Sequence, residues 1–171
     1  MEDGPTEELR YGFATTDLGE MLVARSERGI AAVLLGDKRT DLVRQLAQAF
    51  PALGRIEDQA GVAGVATAIA ALVANPRTDT KLPLDLRGSA IEMAVWTTLR
   101  AIPQGETRSY GAIAKALPLP ATAQEVGAAC AANRIALLVP CYRVVKADGS
   151  ISGYRWGVQR KRRLIHREAC A

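Results

Sequence analysis

Chemistry is most readily written onto this chain at one thiol with two dissimilar flanks. Cys141 stands in the run Val139-Pro140-Cys141-Tyr142-Arg143-Val144-Val145, directly after the apolar residues 135–139. Such a sulfur is either a small buried hydrophobe or, as a thiolate, a soft nucleophile toward carbon. A nucleophilic cysteine needs a group to take its proton, because a thiol of ordinary pKa ~8.5 is mostly protonated at neutral pH. The next residue is Tyr142, whose phenol, of ordinary pKa ~10, is a poor base. The only histidine, His166, precedes Glu168 by two residues. On a helix that spacing turns the two side chains to different faces, which argues against His166 as the base. Cys130 and Cys170 are the other thiols. Three cysteines cannot all pair, their spacings fit no zinc pattern, and a single histidine argues against a His-containing zinc site. Reduced thiols, no metal and no cofactor are therefore expected.

The elements that hold Cys141 follow from periodicity. A length of 171 residues suits one domain or two small lobes. Short apolar segments at 11–16, 21–26 and 30–35 are separated by Asp17-Leu18-Gly19 and Glu27-Arg28-Gly29, the spacing of an antiparallel meander. Leu42, Val43, Leu46, Ala49 and Phe50 then fall at helical spacing, with Asp37 or Thr40 as cap and Pro51 as stop. A second helix is expected over 59–74, ending at Asn75-Pro76. Its Gly61-Val62-Ala63-Gly64 lacks the preceding strand and third glycine of a nucleotide loop. Residues 78–86 read as a linker entering a short extended segment. Ser89 caps a helix that ends near Pro103, and a short helix begins at Thr107 or Ser109. After Pro118 and Pro120 comes a helix over 122–133 rich in small residues. Two short helices joined by a tight proline turn have the arithmetic of a helix-turn-helix. Asp148-Gly149 marks a reverse turn, and a last helix covers 158–167.

Charge is unevenly spread. Residues 151–171 hold Arg155, Arg160, Lys161, Arg162, Arg163 and Arg167 against Glu168 alone, so the remainder of this +4 chain is slightly acidic. A basic end fits either a nucleic-acid phosphate backbone or a solvated helix face. The small residues Ala123, Gly127, Ala128, Ala129, Ala131 and Ala132 fit either close helix packing or a helix laid against something large. No apolar run reaches the length a bilayer requires, and Met1-Glu2-Asp3-Gly4 is unlike a secretory signal. No membrane association is expected.

Five motifs occur in order: Arg87-Gly88-Ser89-Ala90 before Val95-Trp96; Pro103-x-Gly105-x-Thr107-x-Ser109-Tyr110; Ala129-Cys130-Ala131-Ala132-Asn133; Pro140-Cys141-x-Arg143-Val144-Val145; and Ser152-Gly153-Tyr154-Arg155-Trp156-Gly157. As a set they resemble the O6-alkylguanine-DNA alkyltransferases, above all the alkyltransferase half of the bacterial Ada type. The segment from Leu18-Gly19 to Gly36-Asp37 is similar to that family as well. The resemblance implies an α/β fold in two lobes: residues 1–80 ribonuclease H-like with an antiparallel sheet, and residues 81–171 mostly helical with a helix-turn-helix. It implies irreversible, single-turnover transfer of an alkyl group from guanine O6, or thymine O4, to Cys141. It further implies that Asn133 stabilises the turn carrying the cysteine. By the same resemblance Tyr110 would contact the flipped base as proton donor, and Glu168 would orient the residue after the nucleophile. Val144, Tyr154 and Arg155 would line the base pocket, with the sulfur open to a rotated-out purine. Thr122, Ala123, Gln124, Gly127, Ala128 and Arg143 would meet double-stranded DNA carrying alkylated bases through its minor groove. A cytoplasmic, nucleoid-associated monomer is expected.

Two positions depart from the family pattern. Tyr142 stands where histidine is usual, leaving Glu168, a water or helix-end electrostatics to favour the thiolate. Gln124 stands where the family has an arginine finger, with the acidic Glu125 beside it. Weaker DNA binding or a different preferred lesion is therefore expected. Two other readings stay open at this point. One is a non-enzymatic protein that flips alkylated bases for other repair factors. The other is a redox-sensing thiol on a DNA-binding lobe.

Overall fold

The computed structural model describes residues 7–75 and 81–170. Met1 to Gly4, Pro76 and the start of the 78–86 linker, with the expected lobe boundary at residue 80, lie outside the described residues.

The meander forms as its alternation requires. Strands β1 (Glu8–Thr16), β2 (Gly19–Arg25) and β3 (Ile30–Gly36) pair antiparallel. Gly29 enables the β2–β3 turn: its φ is +148°, and any side chain there would run into the Pro83 carbonyl. A fourth strand, β4 (Gly54–Glu57), adds parallel to β1, giving the order β3-β2-β1-β4. It draws β1 back to Glu8, before the expected start at residue 11. Four residues are too few for periodicity to reveal β4.

Helix α1 (Arg39–Ala49) and helix α2 (Gln59–Ala74) pack against this sheet. Neither expected cap opens α1. Its N-cap is Lys38, which makes no side-chain cap bond, and Thr40 lies inside the helix. Asp37 instead accepts a hydrogen bond from Arg160 Nη2 at 2.7 Å. Asp58 caps α2 by accepting from Gly61 N at 3.0 Å.

The second half is helical. Helix α3 (Ala90–Arg100) opens with a reciprocal box in which Ser89 Oγ accepts from Glu92 N and Glu92 accepts from Ser89 N. Helix α4 (Tyr110–Ala116) is capped by Ser109, not Thr107. Helix α5 (Ala123–Ala132) is capped by Thr122 with Glu125 in a second box. Trp96 Nε1 donates to the Ala129 carbonyl at 2.9 Å and fixes α3 against α5. Strand β5 (Arg108–Ser109) pairs parallel with β6 (Val144–Val145). Helix α6 (Val158–Cys170) closes the described chain and runs past the expected end at residue 167.

One buried cluster spans both halves, from Leu9 to Leu164. The two halves are also joined by hydrogen bonds. The outer edge of β3 is covered by later chain: Ile30 N donates to Pro83 O, Val33 N to Arg134 O, and Ala136 N to Val33 O, each at 2.9 Å. Edge groups of the sheet thus anchor the segment that leads to Cys141. The basic end of the chain is largely committed inside the molecule. Arg160 Nε donates to Leu18 O at 2.6 Å, Arg163 Nη1 to Asp17 O at 3.0 Å, and Arg167 Nη1 to Val73 O at 2.7 Å. These guanidiniums tie α6 to the β1–β2 turn and to α2, so both readings of the basic end, phosphate-binding surface and solvated face, give way in part to an internal role.

Candidate active site

The thiol sits on a turn built by Asn133. This residue closes α5 and is 1% exposed. Its Oδ1 accepts from Ile135 N at 2.9 Å, and its Nδ2 donates to Val139 O at 3.0 Å and to Cys141 Sγ at 3.3 Å. One amide thereby spans the loop and holds the sulfur. Within the loop Leu137 takes φ +71°, alone among the described non-glycine residues in the left-handed region. Cys141, Tyr142 and Arg143 then form one 3-10 turn, all buried. Burial pushes the Cys141 thiol up to about 11, against the opposing pull of the Asn133 hydrogen bond and the charges of Lys161 and Arg155. Cys141 is 4% exposed, so the expectation of a sulfur already open to a purine is corrected. Tyr154 and Arg155 lie near enough to interact electrostatically with the thiol.

Glu168 accepts from Tyr142 OH at 2.5 Å. Its main partner is a different one. Arg143 Nε and Nη2 reach the two carboxylate oxygens at 3.0 and 2.6 Å, while Nη1 donates to Ile102 O at 2.8 Å. Arg143 is 8% exposed and cannot reach DNA. Its placement at a DNA surface is therefore corrected: it neutralises a buried carboxylate, because neither charge is tolerable alone in the interior. Tyr142 is a donor here. Burial first, and then Glu168, hold its phenol well above its ordinary range despite the opposing pull of Arg143. His166, two residues before Glu168, is exposed, as the helical spacing predicts.

On the other side of the thiol, Tyr110 at the start of α4 hydrogen-bonds through its hydroxyl to Ser152 Oγ. Burial is the main reason its phenol is raised, with Ser152 opposing. Ser152 in turn accepts from Lys161 Nζ at 2.9 Å, and the Gly153 carbonyl accepts from the same ammonium at 3.3 Å. Lys161 is 1% exposed. Sequence reading placed it in a basic run and missed it, as it missed Ser152. The available signal was helical phase: Lys161, Leu164 and Glu168 fall at i, i+3 and i+7, one face of α6, and all three are buried. Tyr154 packs edge-on against Trp156 at 5.3 Å. Arg155 Nη1 donates to Asn133 O at 2.7 Å, linking the 151–155 segment to the end of α5. Val144 is fully buried on β6.

Along α5, Val126 and Ala129 face the core, whereas Thr122, Ala123, Gln124, Ala128 and Ala131 are exposed and Gly127 is half-buried. A side chain at Gly127 would first meet the Tyr110 ring, at 3.9 Å. Glu125, expected to repel DNA, is occupied in capping its own helix. The structure thus groups Cys141, Asn133, Tyr110, Tyr154 and Arg155, and places Glu168 with Tyr142 and Arg143 on the far side of the turn. Among the described residues no group of three or more metal-ligating side chains is placed to hold an ion. Nor is any of their helices long and apolar enough to cross a membrane.

Comparison with known proteins agrees with this geometry over nearly the whole chain. Residues 9–86 match the 6-O-methylguanine DNA methyltransferase ribonuclease-like domain, and residues 90–170 match the DNA binding domain of the same family. The bifunctional transcriptional activator/DNA repair enzyme Ada of Escherichia coli (strain K12) is 49% identical over 94% of this chain and 46% of its own length. The chain therefore spans about half of that relative. A methylated-DNA–protein-cysteine methyltransferase of Mycolicibacterium paratuberculosis is 43% identical over 66% of this chain and 68% of its own. The crystal structure of Mycobacterium tuberculosis OGT in complex with DNA superposes with a TM-score of 0.77 at 32% identity, covering 94% of this chain and 93% of that one. On sequence, fold and the order of its motifs, the chain belongs to the 6-O-methylguanine DNA methyltransferase family.

Proposed function

We propose that this chain repairs DNA by taking an alkyl group from guanine O6, or thymine O4, onto Cys141 in a single, irreversible turnover. The observation that carries the reading is the Asn133 amide donating to Cys141 Sγ at 3.3 Å on a turn anchored to β3. A sulfur so held has a fixed direction of attack. Residues 1–80 and 81–171 form the two lobes of this reading. Helices α4 and α5 act as the helix-turn-helix, entering the minor groove of double-stranded DNA through Thr122, Ala123, Gln124, Gly127 and Ala128. Small side chains allow close approach, and Gln124 takes the place of the extruded base. The nucleotide must leave the stack, at a cost of a few kcal/mol, because O6 is otherwise unreachable.

The roles of the site residues follow. The purine enters beside Cys141 as Tyr154 and Arg155 move aside, which opens the Arg155–Asn133 hydrogen bond and leaves Ser152 on Tyr110. Val144, Tyr154 and the backbone of Arg155 line the pocket so formed. The thiolate attacks the alkyl carbon, the carbon–O6 bond breaks, and Tyr110 supplies a proton to the leaving base. Tyr142 and Glu168 hold the nucleophile's turn. We place the protein in the cytoplasm as a monomer at the nucleoid.

The test is mass spectrometry after incubation with a duplex carrying O6-methylguanine. A stoichiometric gain of one methyl on the Cys141 peptide, abolished in Cys141→Ala, is expected. Tight binding of lesion duplex with no adduct from methyl, benzyl or bulkier donors would instead make the chain a lesion-recognition protein.

A further inference from the structure

Lys161 lies in the interior with neutral hydrogen-bond partners. Its ammonium donates to Ser152 Oγ and to the Gly153 carbonyl, and among the described residues no carboxylate pairs with it. Glu168, on the same face of α6, is taken by Arg143 and Tyr142. The titratable groups whose charges act on Lys161 are two thiols, Cys141 from the 3-10 turn and Cys130 from α5. Tyr110 of α4 lies one hydroxyl away through Ser152. Tyr154 and Arg155 of the 151–155 segment act on Cys141 rather than on Lys161. On its own helix the neighbouring Arg160 is paired with Asp37. A buried cation without an anion is costly, so this arrangement is completed when a thiolate forms.

The hydrogen bonds also have a direction. A serine hydroxyl carries one proton and two lone pairs. Because Ser152 Oγ accepts from Lys161, its own proton is free to go to Tyr110, and the Tyr110 proton is then free to point onward to a base. From this chain, and resting on the alkyl-transfer reading above, we infer that Lys161 holds the proton that the departing purine takes, passes it through Ser152 and Tyr110, and supplies the positive charge opposite the Cys141 thiolate.

The step balances. The thiol proton leaves Cys141 for solvent water, and the thiolate so formed stands against the Lys161 ammonium already in place; the amine left at the end regains its proton from solvent. As the sulfur–carbon bond forms and the carbon–O6 bond breaks, the electron pair goes to the purine. The purine takes the Tyr110 proton, Tyr110 takes that of Ser152, and Ser152 takes one from Lys161, leaving a neutral amine. Thiolate and ammonium are consumed together, so neither buried charge is left alone. Burial pushes the amine down and the thiol up, each toward its neutral form, the state both groups reach once the transfer is over. Lys161 touches no reacting atom; it is a positioning residue. Tyr142, locked as a donor to Glu168, cannot take its place.

The experiment compares the unmodified protein with Lys161→Met, Lys161→Arg and Ser152→Ala. It uses two reactions across about pH 6 to 9.5: single-turnover transfer from an O6-methylguanine duplex, and alkylation of Cys141 by iodoacetamide, which needs no proton for a leaving base. Lys161→Met is expected to raise the apparent thiol pKa by about one unit, cutting the thiolate population about tenfold and, after the offset from higher nucleophilicity, slowing iodoacetamide about threefold at neutral pH. It should slow transfer to DNA further. Lys161→Arg, which keeps the charge but does not release protons, should leave iodoacetamide within about twofold and still slow transfer. Ser152→Ala should do likewise, with transfer falling about tenfold. An unchanged iodoacetamide pH profile in Lys161→Met, or transfer at the unmodified rate in Ser152→Ala, overturns the inference. Should Lys161→Met not fold, the split between the two reactions in Ser152→Ala and Lys161→Arg decides. An unmodified protein whose Cys141 takes up no methyl from the duplex sinks the alkyl-transfer reading itself, and the iodoacetamide profile of Lys161→Met still decides whether Lys161 faces the thiolate.

Discussion

Glu168→Gln should unfold this protein far more readily than its small change in shape suggests. The carboxylate is 4% exposed and receives Arg143 Nε at 3.0 Å, Arg143 Nη2 at 2.6 Å and Tyr142 OH at 2.5 Å. Glutamine keeps the volume but has one acceptor oxygen, and its amide nitrogen faces a guanidinium that can only donate. The buried Arg143 cation is then uncompensated, a state that costs about 3–5 kcal/mol. A lost or weakened Tyr142 bond adds about 1 kcal/mol. For a chain of this size each kcal/mol lowers Tm by about 2–4 °C, so a fall on the order of 10–15 °C is expected. Urea and thermal unfolding followed by circular dichroism measure it. In the double variant Arg143→Met/Glu168→Leu, apolar groups replace both charges, and stability should return to within about 2 kcal/mol of the original. A single variant within about 1 kcal/mol of the unmodified protein would refute the reasoning, because Arg143 would then be reaching water. A double variant as unstable as the sum of its parts would refute it equally.

Tyr142→His places an imidazole beside Glu168 in the same turn as the thiol. If it lowers the Cys141 thiol from about 11 by about two units, the thiolate population rises about a hundredfold, offset about tenfold by lower nucleophilicity. Single-turnover transfer at neutral pH should therefore gain about tenfold, and an unchanged rate would mean that proton loss by the thiol does not limit the reaction. Asn133→Ala strips the partner from the buried Ile135 N–H, whereas Val139 O keeps its bond from Cys141 N at 2.8 Å. Stability should fall by about 1–3 kcal/mol in urea unfolding, and iodoacetamide alkylation of Cys141 should slow as the thiol loses its donor.

What could be read from the sequence was what is encoded locally. Ser89 as a helix cap, the hairpin turns and the small-residue helix after Pro120 each carry their signal within a few residues, and the structure has them where expected. Cys141, Asn133 and Tyr110 were legible because motif order carries them. Elements defined only by a partner far away in the chain were not. Strand β4 is four residues long and exists because β1 accepts it; β5 and β6 are two residues each and exist only as a pair. Arg143 reads as a surface cation until the carboxylate twenty-five residues later is brought against it. Lys161 is the sharper case, since five arginines share its 151–171 stretch and nearby Arg160, Arg163 and Arg167 end on carbonyls or carboxylates of the first hairpin. Charge counting weighed all six alike. The α6 phase, with Leu164 and Glu168 on the same side as Lys161, separates it from the others.

The short parallel ladder of β5 and β6 deserves its own reckoning. Arg108 lies opposite Val144 and Ser109 opposite Val145. Tyr110 follows the first strand immediately, and the sulfur's residue comes three positions before the second begins. The proposed nucleophile and the phenol thus take their main-chain positions from one rung-to-rung alignment. Motions that leave this pairing intact keep the two together. Slippage of that alignment by a single rung would instead put the two out of reach of any common purine.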